Sequence, residues 1–225
     1  MMARLIWQST LWLVALAAIL LLSAGDWLWP QGWLFVVENA VGSFLVSLWL
    51  LRRDPALLEQ RLSSPLRRDQ RPSDRLLIAL IFFGYIGWMV LMALDGRRFG
   101  WTATPAWAQG LGAVAVALCF VMVWWTFRHN SFAVPQVRVQ AERAQTVVSD
   151  GPYRFVRHPM YSGAVLLFIG TPLLLGSLWG LAGGLALTGA LALRALGEER
   201  VLSQDLAGYD DYARRVRFRL VPGLW

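Results

Sequence analysis

The sequence contains no lysine, two histidines and one cysteine among its 225 residues. A single thiol, Cys119, cannot close a disulfide or build a cysteine metal site within one chain. His129 and His158 lie far apart in sequence, so a metal centre built mainly from imidazoles is not expected. Charge is scarce as well. Charged residues make up 16% of the chain against 57% hydrophobic, a balance that excludes an ordinary soluble domain. No repeat of fixed period and no low-complexity stretch is present. The charge that remains is one-sided, with 21 arginines over 14 acids and a net +7. In a soluble chain that excess would suggest nucleic acid. Here the arginines sit in the gaps between apolar runs, the pattern of loops on the cytoplasmic face of a membrane, so nucleic acid is not an expected partner.

The apolar runs are Leu5 to Leu22, Trp33 to Leu51, Leu76 to Leu94 and Trp107 to Phe127, each near the length that crosses a bilayer. The first is longer than a signal-peptide core and is read as a retained helix. A last stretch, Tyr161 to Leu196, is too long for one span. Pro172, Gly176, Gly180, Gly183 and Gly184 interrupt it, and two helices joined by a tight turn near Gly176 to Gly180 are expected. The fold class is thus all-α: a polytopic membrane helix bundle of about six spans, ending in a helical hairpin. It is expected to be a single membrane domain over 1–225, with four spans in 1–127 and a loop, hairpin and tail in 128–225.

Orientation follows from the arginines. Arg52, Arg53, Arg61, Arg67, Arg68, Arg71 and Arg75 lie between the second and third runs. Five more lie from Arg128 to Arg157, and five follow Glu199. The other gaps hold only Arg97 and Arg98. Six spans place every Arg-rich segment on one side, with both termini, and the positive-inside rule makes that side cytoplasmic. A bacterial inner membrane is the expected setting. Trp27, Trp29, Trp33, Trp101, Trp107 and Trp179 fall at the opposite ends and read as an interfacial belt. Glu38 and Asn39, inside the second run, are expected to hydrogen-bond each other or a neighbouring helix.

Chemistry concentrates between Arg128 and Gly163. Gly151-Pro152-Tyr153 is followed by Arg157-His158-Pro159-Met160-Tyr161-Ser162-Gly163. A proline pushes the residue before it out of the helical region and suits the first helical position, so a helix starts at Pro159 with His158 as its cap. Free N–H groups and partial positive charge gather at such an end, and Arg157 and His158 add donors. An anion site at the mouth of a membrane helix is expected, with Gly163 allowing a ligand or another helix close. The second constellation is Arg194-Ala195-Leu196-Gly197-Glu198-Glu199, where the last span reaches the same face. Arg194 and Glu198 share a helix face in the order less favourable for helix stability, which argues against a purely structural pair. Tyr209 and Tyr212 would suit headgroup-level contacts.

In these residues the chain resembles the isoprenylcysteine carboxyl methyltransferase and phospholipid methyltransferase families of membrane enzymes. The match covers about Gln145 to Pro222: Gly151-Pro152-Tyr153, the Arg157-to-Gly163 motif, Glu198-Glu199 with Leu202, then Tyr209 and Tyr212. One departure lies in the tail. Many relatives carry Phe-Gly and two residues before the first tyrosine, whereas Leu206-Ala207-Gly208 here leads straight into Tyr209, to which no role is carried over.

The resemblance implies S-adenosyl-L-methionine held between the membrane helices and the C-terminal segment. Gln145, Thr146, Val147, Val148, Tyr153, His158, Pro159, Met160 and Tyr161 would line its site, with Arg157 and Gly163 beside them. Arg194 and Glu198 would face the acceptor, with Glu198 or Glu199 available as a base. The methionine carboxylate suits the helix start at His158, and a tyrosine ring face suits the sulfonium. A carboxylate acceptor needs only a cation such as Arg194 to orient it; an amine needs a proton acceptor. The expected function is therefore methyl transfer, of the isoprenylcysteine carboxyl O-methyltransferase kind, to a lipid or lipid-modified small molecule at the cytoplasmic face. The alternatives are a phospholipid N-methyltransferase and a non-catalytic membrane scaffold. The rest of the tail, Arg214 to Pro222, is basic and suits an interfacial amphipathic segment.

Overall fold

The computed structural model describes residues 1–63, 72–135, 139–140 and 143–225. Its helices are α1 (Met2–Ala24), α2 (Pro30–Arg53), α3 (Pro55–Arg61), α4 (Pro72–Ala93), α5 (Ala106–His129), α6 (Pro159–Leu175), α7 (Leu178–Asp205) and α8 (Tyr209–Arg215). Five helical segments are long and apolar enough to cross a membrane, and α6 is a shorter apolar helix of 17 residues, the lower end of the spanning range. The chain is an all-α, multi-pass membrane protein.

Helix ends follow local chemistry. Proline opens α2, α3 and α6 at a first-turn position, where a missing N–H costs nothing. Asp54 caps α3 by accepting from the Leu57 N–H at 3.0 Å. The hairpin turn is tighter than expected. Gly176, at φ 83°, ends α6, and the Ser177 hydroxyl then accepts from the Gly180 N–H at 2.9 Å to cap α7. Gly180, Gly183 and Gly184 therefore do not break the hairpin. They lie within α7 where Met92, Trp88 and the Phe168 backbone press against it. One element had no signature in the sequence: α4 continues into a π-helical turn, Leu94–Phe99. It places Asp95, fully buried, where the carboxylate accepts from the Thr102 hydroxyl at 2.7 Å and the Ser177 hydroxyl at 2.6 Å.

The most extensive helix contact is α5 against α6. Gly112 and Gly170 make it possible, since a Cβ on Gly112 would stand 2.4 Å from the Leu174 nitrogen and 2.6 Å from the Gly170 oxygen. The main core joins α1, α2, α4, α5, α6 and α7 around Leu20, Phe35, Met89, Val116, Phe168 and Leu191.

The loops sort to two ends. At one, Arg97 Nε donates to Asp26 at 2.7 Å and Asp95 ties the π turn to the hairpin. At the other, Arg4 lies 3.8 Å from Glu59 and Arg61 donates to the Ala133 carbonyl at 2.8 Å. The described arginines of the Arg-rich segments belong to this second end; Arg67, Arg68, Arg71 and Arg138 lie outside the described residues. Five of the six belt tryptophans are exposed. Trp29 is buried instead, its ring lying over Gly32. Asn39 bonds back to the Phe35 carbonyl at 2.9 Å, not to Glu38, whose Oε2 is buried without a partner among the described residues.

Candidate active site

At the Arg-rich end, a cavity opens where α5 finishes, α6 starts and α7 finishes. Its enclosed volume is about 110 Å³. One wall is the chain after α5: Asn130, Phe132, Ala133 and Val134, then Gln145 to Val148 and Tyr153. Gln140, fully buried, folds this strap back on itself, donating from its amide to Phe132 O at 2.8 Å and from its backbone to Gln145 Oε1 at 2.7 Å. Arg157, His158, Met160 and Tyr161 form the second wall, and Glu198, Val201, Leu202, Leu206, Tyr209 and Tyr212 the third.

Helix α6 starts as the sequence predicts, with His158 as cap and Pro159 first. The expected free N–H groups are in part taken. The Arg157 and His158 N–H groups donate to the Phe218 and Arg219 carbonyls at 2.9 Å each. The tail beyond α8 lies against the start of α6, and the Ser162 hydroxyl donates to Leu220 O.

Glu199 anchors this layer. Its carboxylate takes Arg157 Nε at 2.8 Å, His158 Nε2 at 3.2 Å and Arg219 Nε at 3.0 Å. Glu198, one residue earlier, turns to the cavity. Tyr161 donates to its Oε2 at 3.0 Å, and the Tyr161 ring stacks on His158 at 5.4 Å and 6°.

The tyrosines of the third wall are not headgroup contacts. Tyr209 and Tyr212 are buried, and the Tyr212 hydroxyl donates to Tyr153 O at 2.9 Å. Tyr153 in turn receives the Asn130 amide at 2.6 Å. Burial pushes the Tyr153 phenol above its ordinary range, against the opposing bond from Asn130.

Ten residues singled out in the sequence line the cavity: Gln145, Thr146, Val147, Val148, Tyr153, Arg157, His158, Met160, Tyr161 and Glu198. Pro159, Gly163, Arg194 and Glu199 lie outside its lining. Gly163 serves helix approach, with a Cβ there 3.2 Å from Met122. Arg194 donates to the Pro135 carbonyl on the strap. The lining residues not expected from the sequence are Asn130, Phe132, Ala133, Val134, Val201, Leu202, Leu206, Tyr209 and Tyr212. Of these, Leu202 and the tyrosine pair carried a signal, through their place in the C-terminal motif.

A part-polar cavity thus lies at one end of an apolar helix bundle. The family model described as phospholipid methyltransferase matches residues 107–206, from the first turn of α5 to the end of α7. Over that segment the chain is similar to phospholipid methyltransferases. No individual curated protein matches the sequence.

Proposed function

We propose that the protein is an S-adenosylmethionine-dependent methyltransferase whose 225 residues form one membrane domain and whose acceptor is a membrane-dissolved amphiphile. The observation that carries this reading is the convergence of Gln145 to Val148, Tyr153, His158, Tyr161 and Glu198 on one cavity. Its residues fit such a cosubstrate. Glu198 offers a carboxylate to an ammonium or to sugar hydroxyls, and Val134, Val147, Leu202 and Leu206 offer apolar surface to a base. Tyr153 and Tyr161 offer ring faces to a cation. S-adenosylmethionine supplies a methyl group on a cationic sulfur, which a nucleophile takes by in-line displacement. The protein's part is to orient the two partners and to exclude water.

In this reading Arg157, Glu199 and Arg219 position His158, and Arg194 positions the strap through Pro135. A carboxylate acceptor, as in isoprenylcysteine O-methylation, requires no base. An amine acceptor is the second reading, favoured by one observation: Glu198 lines the cavity and can take the proton. The Arg-rich end faces the cytoplasm in this account, as the positive-inside rule requires.

Titration calorimetry of detergent-purified protein with S-adenosylhomocysteine tests the cosubstrate. Binding by the wild type is expected, weakened by about 1–3 kcal/mol in His158→Ala. Methyl-labelled cosubstrate with a membrane lipid extract tests the reaction. Glu198→Gln is expected to lose most turnover, more severely for an amine product. A wild type that binds no S-adenosylhomocysteine would overturn the proposal.

A further inference from the structure

Arg61, the last residue of α3, is a cation without an anionic partner among the described residues. Its guanidinium lies 4.6 Å from the Phe127 ring centre, and Nη1 donates to Ala133 O at 2.8 Å with Met160 Sδ at 4.0 Å. Its guanidinium meets a ring, a carbonyl and a thioether, and the residue is partly exposed. Burial lowers its pKa to about 10, so it stays charged at neutral pH. A largely desolvated charge is costly unless something pairs with it. Its neighbours say what could. Ala133 and Met160 line the candidate cavity, so Arg61 stands one residue behind that wall.

A second observation lies alongside. Between α2 and α5 runs a groove of about 570 Å³, almost wholly apolar. Its inner end is made by Val46, Trp49 and Trp124, which pack in the same cluster as Phe127, Met160 and Ala133. Glu38, its one acidic side chain, lies toward the opposite end. Arg61 thus stands past the inner end of the groove, beside the cavity, and Glu38 lies far from it.

We infer that Arg61 and the α2–α5 groove form a binding site for an anionic membrane amphiphile, with its tail in the groove and its phosphate or carboxylate on Arg61. This rests on the methyltransferase reading only in naming the occupant as the acceptor. The apolar lining fits a hydrocarbon chain, and the volume is that of a small-molecule site. The packed cluster of Trp49, Trp124, Phe127 and Met160 sets the inner end of the groove beside Arg61 and the cavity wall, and that end alone offers a cation to the head group. A planar guanidinium holds either oxyanion in two hydrogen bonds.

Native mass spectrometry of the full-length protein provides the test, with S-adenosylhomocysteine affinity measured in parallel. The probes are dioleoyl phosphatidic acid, dioleoyl phosphatidylcholine, dihexanoyl phosphatidic acid and inorganic phosphate. The wild type is expected to retain the long-chain phosphatidic acid about tenfold better than phosphatidylcholine, a difference of about 1.4 kcal/mol. The short-chain lipid and free phosphate are expected to bind weakly. Arg61→Gln should erase the anionic preference, Arg61→Lys should keep part of it, and Ala117→Phe, which fills the groove, should reduce retention of both long-chain lipids. All three should bind S-adenosylhomocysteine as the wild type does. Equal retention of the two long-chain lipids by the wild type sinks the inference, as does an unchanged preference in Arg61→Gln. Should Arg61→Gln fail to fold, the wild-type preference and the Ala117→Phe arm still decide. Loss of S-adenosylhomocysteine binding in the wild type would sink the methyltransferase reading and leave the lipid site standing on the retention data.

Discussion

The Tyr209 hydroxyl is buried and without a partner among the described residues, while the residue lines the cavity. Burial, with Glu199 and Glu198 nearby, holds the phenol well above its ordinary pKa, so it is a neutral donor. A sealed hydroxyl without a partner costs about 1–3 kcal/mol. Tyr209→Phe removes only the oxygen, and two measurements should then move in opposite directions. The unliganded protein should unfold at the same or a higher temperature in detergent. S-adenosylhomocysteine should bind about 2- to 12-fold more weakly, the loss of one ordinary hydrogen bond. Unchanged affinity would remove this hydroxyl from the site. Tyr209 also marks how far the sequence reads at this scale. The residues around Pro159 were legible because proline, glycine and histidine restrict their own backbone. Val134, Val201 and Leu206 carry no chemistry of their own, and only packing puts them at the cavity.

Among the elements, the spans were legible because each is a run of apolar residues of bilayer length bounded by proline, glycine or arginine. What the runs did not disclose is which small residues bend the chain and which let helices touch. Gly176 and Gly180 look alike in sequence, yet one ends a helix and the other packs against Met92 and Pro172. The distinction depends on a neighbour far along the chain. The π turn escaped for the same reason, since it is shaped by what Asp95 binds in the hairpin. Two glycines in α5 separate the roles. Gly112→Ala would press on the α6 backbone and should destabilise by about 1–3 kcal/mol. Gly110→Ala meets nothing within 4 Å and should be neutral or stabilising by up to about 1 kcal/mol. Unfolding curves of the two variants in one detergent compare them directly. A Gly112→Ala protein as stable as wild type would mean the α5–α6 contact is looser than described.

For the whole molecule, two ends of opposite character lead to a labelling pattern. With Cys119 replaced, a cysteine at Leu28 and one at Ala207 should react from opposite sides of sealed vesicles, Ala207 from the cytoplasmic side. Both positions are exposed. Labelling of both from one side would break the six-span topology. The cavity makes a second demand. Ligand sites usually offer about 300–1,000 Å³, while its enclosed volume is about 110 Å³. A cosubstrate must therefore displace a wall, and the strap has the fewest helical bonds to lose. Hydrogen exchange in 130–135 and 143–148 should change on adding S-adenosylhomocysteine, and exchange in α5 should not. The tail has a consequence for biosynthesis. Residues 216–225 hold the start of α6 and, through Arg219, Glu199. They are also synthesised after α7, the last of the apolar helices described. A nascent chain with these helices inserted still carries an unfinished cavity, so membrane insertion of the helices precedes completion of the pocket.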